Sequence, residues 1–219
     1  MQRYGAAADR LPPAVAPAAS ARHQMTDRSS APATTSPASS APAPLPLFID
    51  ALAFAAHKHR DQKRKNVAAS PYINHPIALA DVLVHEGSVT DIRVLCAAIL
   101  HDTVEDTETT FEELEQRFGN EIAGIVREVT DDAALPKSRR KQLQVEHAPH
   151  LSRAARLVKL ADKICNVRDV ASDPPVHWPH ERRVEYFDWA KRVIDGLRGA
   201  HPGLEAVFDA VYAKGISAP

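Results

Sequence analysis

Seven consecutive apolar residues, Val94-Leu95-Cys96-Ala97-Ala98-Ile99-Leu100, run directly into His101-Asp102. A helix that is apolar on every side belongs at the centre of a helical domain. This one delivers an imidazole and a carboxylate into the interior, where buried polar and charged groups need partners. A His-Asp dipeptide alone is common by chance. At the end of such a helix it asks for a counter-charge, and a divalent cation satisfies both groups.

The flanking sequence predicts an all-α bundle. Helical periodicity dominates from Leu47 onward, and no strand-like alternation persists. The first helix starts with Leu47, Phe48, Leu52 and Phe54 and ends near Lys65; Asn66 to Pro71 is a loop. A second helix carries Ile77, Ala80, Val82 and Leu83 and closes at Gly87, and Thr90 is placed to cap the third. Thr110 and Glu113 form a capping box for a short helix that stops at Gly119. Asn120 is placed to cap the next helix, with Ile122, Ile125, Val126 and Val129. A basic helix follows from Lys137 to about Ala148. Ser152 caps the helix holding Leu157, Leu160, Ala161 and Ile164, and Val184–Leu197 and Leu204–Tyr212 close the domain. The chemistry is then drawn from several facing helices.

Residues 1–46 differ in kind. They are mostly Ala, Pro and Ser with scattered Arg, too poor in apolar surface to offset ordering entropy, and read as a disordered tail. A basic, Ser-rich transit peptide is the rival reading, opposed by the prolines. Met25 is an alternative start. Residues 47–216 form one domain.

Charge nearly cancels, with Lys+Arg 27 against Asp+Glu 28, so no global argument for nucleic-acid binding exists. No apolar run approaches the ~20 residues that span a bilayer. Cys96 and Cys165 stand alone without C-x-x-C spacing, which points to small core residues and a reducing cytoplasm rather than structural zinc.

Two further segments extend the site. His75 lies in Pro71-Tyr72-Ile73-Asn74-His75-Pro76, and Asp162 in Lys159-Leu160-Ala161-Asp162-Lys163-Ile164-Cys165-Asn166. Taken alone, His75 suits any helix entry and Asp162 suits a salt bridge to a neighbouring lysine. Taken with His101-Asp102, they give two imidazoles and two carboxylates, a donor set for Mn, Fe, Co or Zn rather than Mg. Glu105 and Asp106 follow within reach. Crowded carboxylates raise the pKa of at least one member, which suits a general base, although an acidic loop is the blander alternative. His57, His59, His85, His147, His150 and His177 have no comparable partners and are read as non-ligands. Basic residues around these segments, including Lys63-Arg64-Lys65, Lys137, Arg140, Lys163 and Arg182, fit a polyphosphorylated small molecule, though more than half should be solvated helix faces.

The order His75, His101-Asp102, Asp162 resembles that of the HD phosphohydrolase superfamily. Ala56-His57-Lys58-His59-Arg60-Asp61-Gln62-Lys63-Arg64-Lys65, Leu100-His101-Asp102-Thr103-Val104-Glu105-Asp106-Thr107 and Val129-Thr130-Asp131-Asp132 narrow the resemblance to the hydrolase domain of RelA/SpoT homologues. Gln144–His150 and Glu185–Ala190 extend it toward the small, single-domain metazoan SpoT homologues. The resemblance implies hydrolysis of guanosine 3′,5′-bis(diphosphate) and its pentaphosphate relative at the 3′ position, usually with Mn²⁺. It implies His75, His101, Asp102 and Asp162 as ligands and Glu105 and Asp106 as the groups that orient and activate water. It further implies Arg64 and Lys65 beside the guanine, Asn166 at the ribose or base, and Lys137, Arg182 and Tyr186 at phosphates or rim. A small guanine nucleotide is the expected partner; nucleic acid and membrane are not. Removal of the NADPH 2′-phosphate in the same pocket is the alternative activity, and a silent nucleotide sensor is a third. The chain departs from the pattern at Asn66–Ser70, which lacks the glycine common there, and at Cys165, which replaces a bulkier residue.

Overall fold

The computed structural model describes residues 43–66 and 68–216. Most of the segment read as a disordered tail lies outside the described residues. The first helix, α1 (Pro44–Lys58), begins inside that segment, with Pro44 and Pro46 in the first turn, where a missing N–H costs nothing. It ends at Lys58, about two turns before the predicted Lys65. Residues beyond it fold back on themselves: Arg64 N–H donates to Ser70 O at 2.8 Å, and Lys63 and Pro71 form an isolated bridge.

The other helices follow the periodicity. They are α2 (Asn74–Asp81), extended by a wider π turn over Val82–Glu86, α3 (Ile92–Leu100), α4 (Thr103–Asp106), α5 (Phe111–Phe118), α6 (Asn120–Val129), α7 (Lys137–His147), α8 (Arg153–Ser172), α9 (His180–Leu197) and α10 (Pro202–Ile216). No strand is present among the described residues. The α3 cap is Asp91, whose carboxylate accepts from Arg93 N–H at 3.0 Å, and not Thr90. Thr110 and Ser152 cap α5 and α8 as predicted, each accepting from the backbone N–H three residues on at 3.2 Å. Glu113 does not complete the box, because its carboxylate accepts from Lys58 Nζ at 3.0 Å. Asn120 is the first residue of α6 rather than its cap. Gly119, at φ +85°, makes the break that precedes it.

Two helices define the centre. Val94 to Leu100 are all buried, and α3 packs against α1, α2, α6 and α8. α8 packs against α2, α3, α6, α9 and α10 and buries residues on every side, including Lys159, Asp162 and Lys163. The C-terminal end of α3, the start of α2 and the middle of α8 therefore meet in the interior.

Candidate metal centre and nucleotide cavity

At that meeting point His75 and His101, from α2 and the end of α3, face Asp162 from α8, and all three are buried. His101 Nε2 lies 3.0 Å from Asp102 Oδ2 and 4.0 Å from Asp162 Oδ1. His75 Nε2 lies 3.4 Å from Asp162 Oδ1 and 4.0 Å from Asp102 Oδ2. Donors bound at ~2.1 Å to one ion sit ~3 Å apart when adjacent and ~4.2 Å apart when opposite, so His75, His101 and Asp162, whose donor atoms lie within 4.8 Å of one another, could hold one cation, with Asp102 beside both imidazoles. His101 carries the sharper signal. Its Nδ1 lies 2.8 Å from the Ala98 carbonyl and must donate to it, so the lone pair sits on Nε2. That Nε2 is buried, and Asp102 Oδ2 beside it at 3.0 Å does not meet it in hydrogen-bond geometry.

The carboxylates are held by their second contacts. Asp162 turns Oδ2 to Lys163 Nζ at 2.9 Å and keeps Oδ1 toward the imidazoles, where the Asn166 amide also donates. Asp102 Oδ2 accepts from the Tyr72 hydroxyl. Burial alone would raise Asp162, but Lys163 and the two imidazoles hold it far below the usual carboxylate range. Burial likewise opposes ionisation of Asp102, and His101 and His75 outweigh it and hold it low. Burial would lower His101, yet Asp102 and Asp162 raise it. A proton here answers the same demand for positive charge that a divalent ion answers more fully.

Glu105 and Asp106 project from the single turn of α4. Arg140 donates to Glu105 Oε1 at 2.8 Å and the Asp131 N–H to Oε2 at 3.2 Å. Burial, then the Asp131 and Asp102 charges, push Glu105 above the ordinary carboxyl value, against the Asp131 N–H bond. Asp106 Oδ2 accepts from Gln62 Nε2 at 3.0 Å, and Asp106 lines the adjoining cavity.

That cavity, about 390 Å³, joins His75 and Asp106 to Arg64, Lys65, Asn166 and Tyr186. Arg64 donates to Asn166 Oδ1 at 3.3 Å and to Asp169, and lies 5.7 Å from the Tyr72 ring. Lys137 and Arg182 lie instead in a second hollow, which shares Trp178 and Tyr186 with the first. Burial lowers Lys137, and neighbouring Lys65, Arg182 and Arg140 lower it further, so this rim holds more positive charge than it neutralises.

Several positioning groups carry no such role in the sequence reading: Tyr72 and Gln62 fasten Asp102 and Asp106, Arg140, expected only as a basic residue for the substrate, fastens Glu105, and Trp178, Asp169 and Asp173 line the cavity. Tyr72 and Gln62 do lie inside quoted motifs, so their proximity to the site was available. The pairing of Arg140 with Glu105 spans 35 residues and has no local signature.

Comparison with known proteins places these residues in context. The HD-domain family model matches residues 51–186. The guanosine-3′,5′-bis(diphosphate) 3′-pyrophosphohydrolase MESH1 of Xenopus tropicalis is 54% identical over 166 residues, covering 76% of this chain and 93% of the relative. The Homo sapiens protein of the same name is 55% identical over 167 residues, with coverage of 76% and 93%. A solved structure described as a metazoan ortholog of SpoT that hydrolyzes ppGpp superposes with a TM-score of 0.75 at 46% identity, covering 82% of this chain and 97% of its own.

Proposed function

This chain belongs to the HD-domain family, among the metazoan SpoT homologues, and from that premise we propose how its site works as a guanosine 3′,5′-bis(diphosphate) 3′-pyrophosphohydrolase. Water adds to the phosphorus attached to O3′. The O3′–P bond breaks, O3′ takes up a proton, and GDP and pyrophosphate leave. The pentaphosphate gives GTP by the same step.

The observation that carries this reading is one cavity lined by Asp106 and His75 together with Arg64, Lys65, Asn166 and Tyr186. Arg64 and Lys65 flank the guanine, and Asn166 contacts the ribose or base. Lys137, Arg182 and Tyr186 meet the phosphates that extend into the neighbouring hollow. His75, His101, Asp102 and Asp162 hold a divalent ion, which when bound supplies Lewis acidity toward water and a phosphoryl oxygen. Mixed imidazole and carboxylate donors suit Mn²⁺ better than Mg²⁺. Asp106, with Oδ1 free of a protein donor among the described residues, orients the attacking water and takes its proton. Glu105, whose carboxyl is raised by burial and which Arg140 holds in place, stands beside Asp106 and acts with it on the water. The buried free thiols Cys96 and Cys165 fit work in the cytoplasm. No helix among the described residues is long and apolar enough to cross a membrane.

The second hollow also favours another substrate, NADPH, whose longer body would extend across Trp178 and Tyr186 while its 2′-phosphate meets the metal centre. Product analysis with the bis(diphosphate) and NADPH at equal concentration separates the two. Pyrophosphate and GDP should dominate; a dominant release of inorganic phosphate from NADPH would reverse the order.

A further inference from the structure

His59 is a buried histidine at the end of α1, set apart from the proposed ligands, yet it touches both supports of the site. Its Nδ1 lies 2.6 Å from Gln62 Oε1, and Gln62 Nε2 donates to Asp106 Oδ2 at 3.0 Å. A carboxylate only accepts, so the amide must present its NH₂ to Asp106 and its carbonyl to His59. The imidazole is then the donor at Nδ1. On its other side the ring lies against Tyr72, with centroids 4.8 Å apart and planes inclined by 32°. Tyr72 in turn donates to Asp102. Burial, with Asp102 and Asp106 nearby, raises the Tyr72 phenol far above its usual value, so it stays a donor. His59 Nε2 is buried without a hydrogen-bond partner. Among the described residues, the polar contact of the ring is the one to Gln62.

We propose that His59 is a positioning residue with two separable arms: Nδ1, through Gln62, aims Asp106 at the attacking water, and the ring face, through Tyr72, holds Asp102 in the metal centre. The inference rests on the reading of Asp106 as the water-orienting acid and Asp102 as a ligand. His59 touches neither substrate nor metal.

The two arms can be cut separately. His59→Phe keeps a ring against Tyr72 and removes the donor. His59→Asn keeps a donor near Nδ1 and removes the ring. Changes at groups that support catalytic residues and ligands cost ~10–100-fold in activity or metal affinity. For the Phe variant, kcat should fall ~10-fold or more, with KM and Mn²⁺ affinity unchanged. For the Asn variant, the main loss should be in Mn²⁺ affinity, with kcat recovered at saturating metal. Gln62→Met, at a half-buried position, supplies a route that does not depend on folding of the His59 variants, and should reproduce the kcat loss. Combined with His59→Phe, it should lose no more than either alone. Asp106→Asn, assayed alongside, keeps the inference distinct from its premise. If Asp106→Asn remains active, the site reading fails. If it is inactive while Gln62→Met and folded His59→Phe turn over normally, the positioning role is overturned. Fully additive losses in the double variant would overturn it as well.

Discussion

Glu105 has both carboxylate oxygens occupied, by Arg140 and by the Asp131 N–H, whereas Asp106 keeps one oxygen toward the cavity. The two acids thus divide the work of charge and contact. Asp106→Asn retains shape and loses the charge that accepts a proton, so turnover should fall by ~10²-fold or more. Metal content should hold, because the four proposed ligands are untouched, and nucleotide binding should hold or tighten as negative charge is removed. Turnover assays, metal analysis and binding on one preparation check all three. Glu105 adds a pH signature. Its carboxyl is raised, so it becomes protonated on acidification earlier than an ordinary glutamate, whose value is ~4.3. If the ionised form is needed, the acid limb of kcat/KM lies above that value, and activity falls as pH drops through it. The residual activity of Glu105→Gln should lack this limb; an unchanged limb would assign it to another group.

At the scale of elements, α3 and α8 show how far pattern reading reaches. An apolar run with no polar face had only one place to go, and its arrival carried His101 and Asp102 with it. α8 was legible for a different reason: Leu157, Leu160, Ala161 and Ile164 mark a core stripe on which Asp162 is an anomaly. The boundaries near Lys58 and Asp91 were less legible. There, a backbone that folds back through Arg64 and Ser70, and a carboxylate that competes with Thr90 for the cap, decided the outcome. The loop without its glycine resolves into Ala69 at φ +45°, where a side chain is disfavoured. The approach of α9 to the turn after α7 had no signal in the periodicity. A Cβ added at Gly196 would lie 2.8 Å from Ala148 Cβ and 3.1 Å from Pro149 Cδ. Gly196→Ala should therefore destabilise by about 1–3 kcal/mol in denaturant unfolding, through overpacking. A neutral result would mean that α9 and the turn separate easily.

For the whole molecule, the site draws on chain segments far apart in sequence, so folding and metal binding are linked. The proposed ligands come from α2, the end of α3 and α8, and the carboxylates of Asp102 and Asp162 each lie within 4.0 Å of both buried imidazoles. Binding an ion there favours the folded state by mass action, so added Mn²⁺ should raise Tm, and His101→Ala should abolish that rise. The long-range joins, Arg140 to Glu105 and Arg64 to Asn166 and Asp169, stayed out of reach of sequence reading because only the packed helices bring them together. The central claim is that one ion among His75, His101, Asp102 and Asp162 serves cleavage of the O3′–P bond. Its most direct test is pyrophosphate release from guanosine 3′,5′-bis(diphosphate), measured against Mn²⁺ bound per chain in protein first stripped by chelation. Release should be absent from the stripped protein and should rise in proportion to occupancy, saturating at about one ion per chain for a single site. Full release from protein shown free of metal would contradict the account.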